Sequence, residues 1–166
     1  MKKKNDIISY IIIILAVIII RLFVVTPVRV VGSSMDTTLK QGEILILEKI
    51  DKKYKRFDIV VIQENNERII KRIIGMPGES IKVIDGIIYI NGEKLEDPYA
   101  STPTSDFTLS KFELDVIPED SYFVLGDNRA VSKDSRILGP INKKNIQGKA
   151  IYRIWPLNKL GGISEK

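Results

Sequence analysis

A long apolar run near the start of the chain limits what the rest can become. Residues 7–25 are Ile, Leu, Val, Phe and Ala, broken only by Ser9, Tyr10 and Arg21. Wound as a helix they span roughly 28 Å, against about 30 Å of bilayer hydrocarbon. The run therefore predicts one transmembrane helix over 7–25. Lys2, Lys3 and Lys4 ahead of it place residues 1–6 in the cytoplasm and 26–166 outside. Arg21 is expected to reach the far interface with its charged head while its stem stays in lipid. A removable secretory leader would share the basic start, but here the apolar run is too long and lacks a small-x-small cleavage site.

Beyond Pro27 the pattern changes to short β-branched runs separated by turn residues. Positions 28–31, 44–47, 59–62, 68–74, 81–84, 87–90, 122–125 and 150–155 read as strands. Gln63-Glu64-Asn65-Asn66-Glu67 joins two of them as a hairpin. Asp85-Gly86, followed after one strand by Asn91-Gly92, is the strongest hairpin signal, because a two-residue turn needs positive φ at its central positions. Residues 97–110, rich in Pro, Ser, Thr and Asp, read as a loop, and the tail after Pro156 as frayed. The expected fold is mainly β, with antiparallel sheets forming a sandwich or partly closed barrel behind the membrane helix.

Composition then removes whole classes of chemistry. The 166 residues include no His and no Cys. A Ser-His-Asp triad, a Cys-His pair and any imidazole or thiolate metal site are impossible, and nothing calls for a cofactor. Of the net charge of +5, three units fall within residues 1–25. The remainder is too weakly basic for a nucleic-acid footprint. Lys49, Lys52, Lys53, Lys55 and Arg56 form a local basic cluster, read as a solvated loop between strands.

A hydrolytic serine in such a chain needs a base other than histidine. Lysine serves once burial brings its pKa towards neutral pH. Two serines occur in the turn Gly32-Ser33-Ser34-Met35-Asp36-Thr37-Thr38-Leu39, although Ser, Thr, Asp and Gly are also ordinary turn residues. In Arg68-Ile69-Ile70-Lys71-Arg72-Ile73-Ile74-Gly75, strand alternation puts Lys71 on one face with Ile69 and Ile73. The bland alternative is a lysine that guards a sheet edge. A third polar stretch is Gly126-Asp127-Asn128-Arg129-Ala130-Val131-Ser132-Lys133-Asp134-Ser135-Arg136.

Taken together and in this order, these stretches resemble the type I signal peptidases, membrane-anchored proteases with a Ser/Lys dyad. The turn at 32–39 is similar to their nucleophile box, Phe57-Asp58-Ile59-Val60-Val61 to the next strand box, and Lys71-Arg72-Ile73-Ile74-Gly75-Met76-Pro77-Gly78-Glu79 to the general-base box. The last box resembles Gly126-Asp127-Asn128-Arg129 with Ser132, Asp134, Ser135 and Arg136. The resemblance implies Ser34 as nucleophile and Lys71 as base. It further implies Ser132 as the residue that orients the lysine, with Gly32, Asp134 and Arg136 in support.

It also implies the cleavage of exported pre-proteins after small residues, at the outer face of a lipid bilayer. Only nine residues separate Val25 from Ser34, at most about 30 Å of extended chain. The domain plan becomes 1–6 cytoplasmic, 7–25 membrane and 26–166 catalytic, with a small β subdomain at about 79–121. Two positions depart from the family pattern: Thr37 stands where a proline is usual, and Gly32 where some members carry an oxyanion-binding serine. A Ser/Lys processing peptidase of narrower substrate range and a non-catalytic peptide-binding module remain the alternatives.

Overall fold

The computed structural model describes residues 2–19 and 24–163. It opens with α1 (Lys2–Ile19), 18 residues long, whose side chains from Ile7 to Ile18 face outward on all sides. Among the described residues no helix is long and apolar enough to cross a membrane. The apolar part of α1 covers only 7–19, about 20 Å, because Lys2, Lys3, Lys4 and Asp6 occupy its N-terminal end. The described residues therefore do not show the expected transmembrane helix over 7–25. Val25 already belongs to a strand, and residues 20–23 of that span lie outside the described residues.

The rest is mainly β. β1 (Val25–Arg29), β2 (Ile44–Glu48), β3 (Ile59–Glu64) and β4 (Glu67–Gly75) come first. β5 (Ile81–Ile84), β6 (Ile87–Ile90), β7 (Glu93–Lys94) and β8 (Phe107–Thr108) follow. β9 (Ser121–Leu125), the short helix α2 (Ser135–Leu138), β10 (Ile141–Asn142), β11 (Ile146–Trp155) and β12 (Gly161–Gly162) complete the chain. An eight-stranded sheet runs β1-β2-β11-β3-β4-β9-β10 with β12 beside β11, and a second, four-stranded sheet runs β7-β6-β5-β8. All these pairings are antiparallel.

Local chemistry explains the joints. The β3–β4 turn has Asn65 at φ 50, and the β5–β6 and β6–β7 turns hold Asp85-Gly86 and Asn91-Gly92 at positive φ, as hairpin twist requires. β1 starts three residues earlier than the β-branched run suggested and contains Pro27. It tolerates that residue because it is an edge strand, where a missing N–H breaks no ladder. β2 and β11 pack so closely that a Cβ on Gly148 would sit 2.1 Å from the Glu48 carbonyl oxygen. The tail expected to fray is tied back instead: Gly161 and Gly162 pair with Arg153 and Tyr152.

Strand alternation on β4 divides the core. Ile69 and Ile73 join Val60, Tyr122 and Val124 in one cluster. Ile70 packs with Met35, Leu39 and Leu45 in another, and Ile74 with Phe107, Ile117 and Phe123 in a third. β4 lies between β3 and β9, but β9 pairs with it only from Arg72 onward, so Lys71 is paired with Val60 on one side at the point where the other side of the strand opens; its burial, at 3% exposure, distinguishes it from a solvent-facing edge lysine.

Candidate active site

Lys71 shares a face with Ile69 and Ile73, and its flanking strands leave it only 3% exposed. Its Nζ lies 2.7 Å from the hydroxyl of Ser34, 37 positions away in the chain. Burial lowers its pKa from 10.5 to about 8; Asp134 and Asp127 oppose that shift, and Arg136 reinforces it. Desolvation wins because an ammonium removed from water loses more than two carboxylates, each engaged by an arginine, return.

The turn that carries Ser34 is anchored from beneath. Met35 and Leu39 are 2% and 0% exposed, and the amides of Thr38 and Leu39 donate to the Met35 carbonyl at 3.1 and 2.9 Å. From the far end of the chain the Asn128 amide donates to the Ser34 carbonyl across 3.0 Å, and the Asn128 side chain to the Ser33 carbonyl across 3.3 Å. Gly126 makes this approach possible. A Cβ there would lie 2.3 Å from Ser132 Oγ and 2.5 Å from the Ser34 carbonyl oxygen.

Buried charges hold the walls. Arg72 points to the face opposite Lys71 and grips Asp127 bidentately, Nε to Oδ1 at 2.9 Å and Nη2 to Oδ2 at 2.7 Å. The Thr38 hydroxyl donates to the same carboxylate at 2.5 Å. Arg72 Nη1 donates to the Phe57 carbonyl at 2.9 Å, and the guanidinium lies 3.6 Å over the ring of Tyr99. Asp134 caps α2 and is fully buried. It accepts from the Gly126 amide at 3.1 Å and from Nε and Nη2 of Arg136, both at 2.9 Å. Arg129 closes the ring, donating to the Gly126 carbonyl at 2.8 Å and to Asp97 and Thr104.

Of the residues expected at the site, Ser34 and Lys71 meet directly. Asp134 and Arg136 hold each other and the 126 turn, and act on Lys71 through their charges. Gly32 sits at the exposed rim with φ 86, and the space where a side chain would project is open. Ser132 is 5% exposed and borders Gly126, but its hydroxyl has no hydrogen-bond partner. The expected bond from Ser132 to the lysine amine is not made; the amine bonds Ser34.

The segment between Asp97 and Ser105, which its composition reads as plain loop, supplies partners to the site that the sequence does not reveal. Asp97 and Thr104 hold Arg129, Ser105 Oγ accepts from Arg136 at 2.9 Å, Ser101 donates to the Asp127 carbonyl, and Tyr99 covers Arg72. Arg72 was the available signal: an arginine next to a lysine in an apolar strand must find a buried partner on the opposite face. Among the described residues no group of acidic side chains is placed to hold a metal ion.

Residues 4–155 match the family described as signal peptidase, peptidase S26. A signal peptidase I of Bacillus licheniformis is 39% identical, covering 95% of this chain and 94% of its own. Signal peptidase IB of Staphylococcus aureus is 36% identical, covering 96% and 94%. A crystal structure of a signal peptidase I from Enterococcus faecalis V583 superposes with a TM-score of 0.54 at 38% identity, over 58% of this chain and 96% of that one. These likenesses define the class: a hydrolase, and within it a serine endopeptidase. The chain belongs to the signal peptidase family, peptidase S26, and resembles its type I members over nearly its whole length.

Proposed function

We propose that this enzyme removes N-terminal signal peptides from exported pre-proteins, with Ser34 as nucleophile and Lys71 as general base. The observation that carries the reading is the 2.7 Å contact between Lys71 Nζ and Ser34 Oγ, made by an amine whose pKa burial has lowered to about 8. Neutral Lys71 takes the Ser34 proton as Oγ attacks the scissile carbonyl carbon. The resulting ammonium gives that proton to the leaving amine as the C–N bond breaks. Water, deprotonated by the same lysine, then hydrolyses the ester. The Ser34 amide is the natural donor to the oxyanion; a second backbone amide near Gly32 must do what a serine hydroxyl does in other members.

The substrate would lie extended in the groove between Val28 and Val31 on one side and Ile69 and Ile70 on the other. Both walls offer unpaired backbone. β1 pairs with β2 alone, and β9 accompanies β4 only from Arg72 onward. An added strand satisfies those groups, and small apolar side chains suit so shallow a channel. The apolar run that begins at residue 7 is, in this reading, a membrane anchor with residues 1–6 cytoplasmic and the β domain outside, its small sheet a subdomain at about 79–121.

The test is cleavage of a purified pre-protein by the full chain in detergent, with the cut located by mass spectrometry and Ser34→Ala as control. Cutting after a small residue at the end of the signal peptide, lost in Ser34→Ala, supports the proposal; undiminished cutting by Ser34→Ala overturns it. External protease added to spheroplasts should digest residues after 25, and complete protection would refute the topology.

A further inference from the structure

Thr37, three residues after the nucleophile, has φ 88. A β-branched residue seldom enters that region, and its surroundings must hold it there. Two attachments on the next residue do so. The Thr38 hydroxyl is tied to Asp127, and Arg153 Nη2 donates to the Thr38 carbonyl at 2.9 Å from 115 positions away.

Arg153 is itself held. Its Nε lies 2.8 Å from Glu43 Oε2, a charge contact whose N–H is not aligned as a hydrogen bond, and Lys159 Nζ lies 3.5 Å from Oε1 of the same carboxylate. Glu43 is 3% exposed. Its carbonyl accepts from the Val30 amide at 2.8 Å, so it closes the neck of the loop that contains Ser34. The pairing of β11 with β2 and β12 fixes Arg153 beside Leu45 and Gly161. Strand and tail thus converge on the nucleophile turn without touching the substrate groove.

We propose that Arg153, steadied by Glu43 and Lys159, is a positioning residue for Ser34: it clamps Thr38 so that the strained Thr37 cannot relax and draw the nucleophile away from Lys71. The inference rests on the reading of Ser34 as nucleophile. It is tested by single-turnover cleavage with the full chain in detergent, comparing Arg153→Ala, Arg153→Lys and the double variant Arg153→Ala with Thr37→Gly. Misplacing a nucleophile by a fraction of an ångström is expected to lower kcat about 10- to 100-fold in Arg153→Ala. KM and the pH midpoint set by Lys71 should stay put, since Arg153 itself is neither in the groove wall nor among the charges that act on Lys71. Arg153→Lys should fall between, because an ammonium lacks the fork that reaches both Thr38 and Glu43. Glycine adopts φ 88 without strain, so Thr37→Gly should restore most of the lost kcat. Should Arg153→Ala not fold, Glu43→Gln keeps the volume, loosens the arginine, and should show a smaller loss with the same rescue. A folded Arg153→Ala with wild-type kcat, or a loss that Thr37→Gly leaves untouched, overturns the inference. Activity surviving in Ser34→Ala would instead overturn the nucleophile assignment.

Discussion

Raising the pH from 7 to 9 is expected to speed cleavage about tenfold and then reach a plateau. The expectation comes from Lys71, whose pKa burial lowers from 10.5 to about 8. At pKa 8 roughly one-tenth of the amine is neutral at pH 7 and nine-tenths at pH 9; at 10.5 the same change gives about a hundredfold rise with no bend. The chain has no histidine or cysteine side chain to supply that limb. Single-turnover cleavage of a pre-protein between pH 6 and 10 separates the two cases. A rate that climbs log-linearly past pH 9.5, or a folded Lys71→Met that still cuts, would refute the assignment of Lys71 as base. The same shift governs stability. The folded state holds this proton less tightly than the unfolded chain, so between pH 8 and 10.5 unfolding takes up a proton, and stability rises with pH across that window. Below pH 8 the buried ammonium costs about 3 kcal/mol relative to high pH. Lys71→Met removes it, so its Tm should exceed that of the parent by several degrees at pH 7 and lose most of that lead by pH 10.

Thr37→Pro, which restores the residue usual in the resembling family, should lower both activity and Tm here, because proline is locked near φ −65° and Thr37 stands at φ 88; scanning calorimetry and a cleavage assay of that variant check it. Ser132→Ala should leave turnover within a few-fold of the parent while Tm holds or rises, since the hydroxyl removed has no partner and does not bond the Lys71 amine. A loss of turnover of about tenfold or more in the folded variant would show that the hydroxyl does act on the lysine during the reaction. Gly126→Ala should abolish cleavage and lower Tm, its methyl meeting Ser132 Oγ and the Ser34 carbonyl within 2.5 Å; wild-type kinetics would show that this contact does not set the site.

What the sequence determined by itself is local. Asp85-Gly86 and Asn91-Gly92 specify their turns, because positive φ is a property of those residues wherever they occur. Alternation put Lys71 among isoleucines, and the absence of histidine left lysine as the base for a serine. The resemblance of the ordered boxes to the family's implied its pairing with Ser34. Only tertiary structure decided which partners arrive from far along the chain. Asp127 reaches Arg72 from 55 positions away, and Arg153 reaches Thr38 from 115. Periodicity shows that a face is buried, not what covers it. For that reason the segment after Asp97 passed for loop and the tail after Pro156 for frayed, although the first holds Arg129 and the second returns to β11 as β12. The same limit explains Ser132. Its position beside the site followed from the box, but whether its hydroxyl or that of Ser34 takes the amine depends on the fit of turns 34 and 126 against each other, a contact that no local pattern encodes.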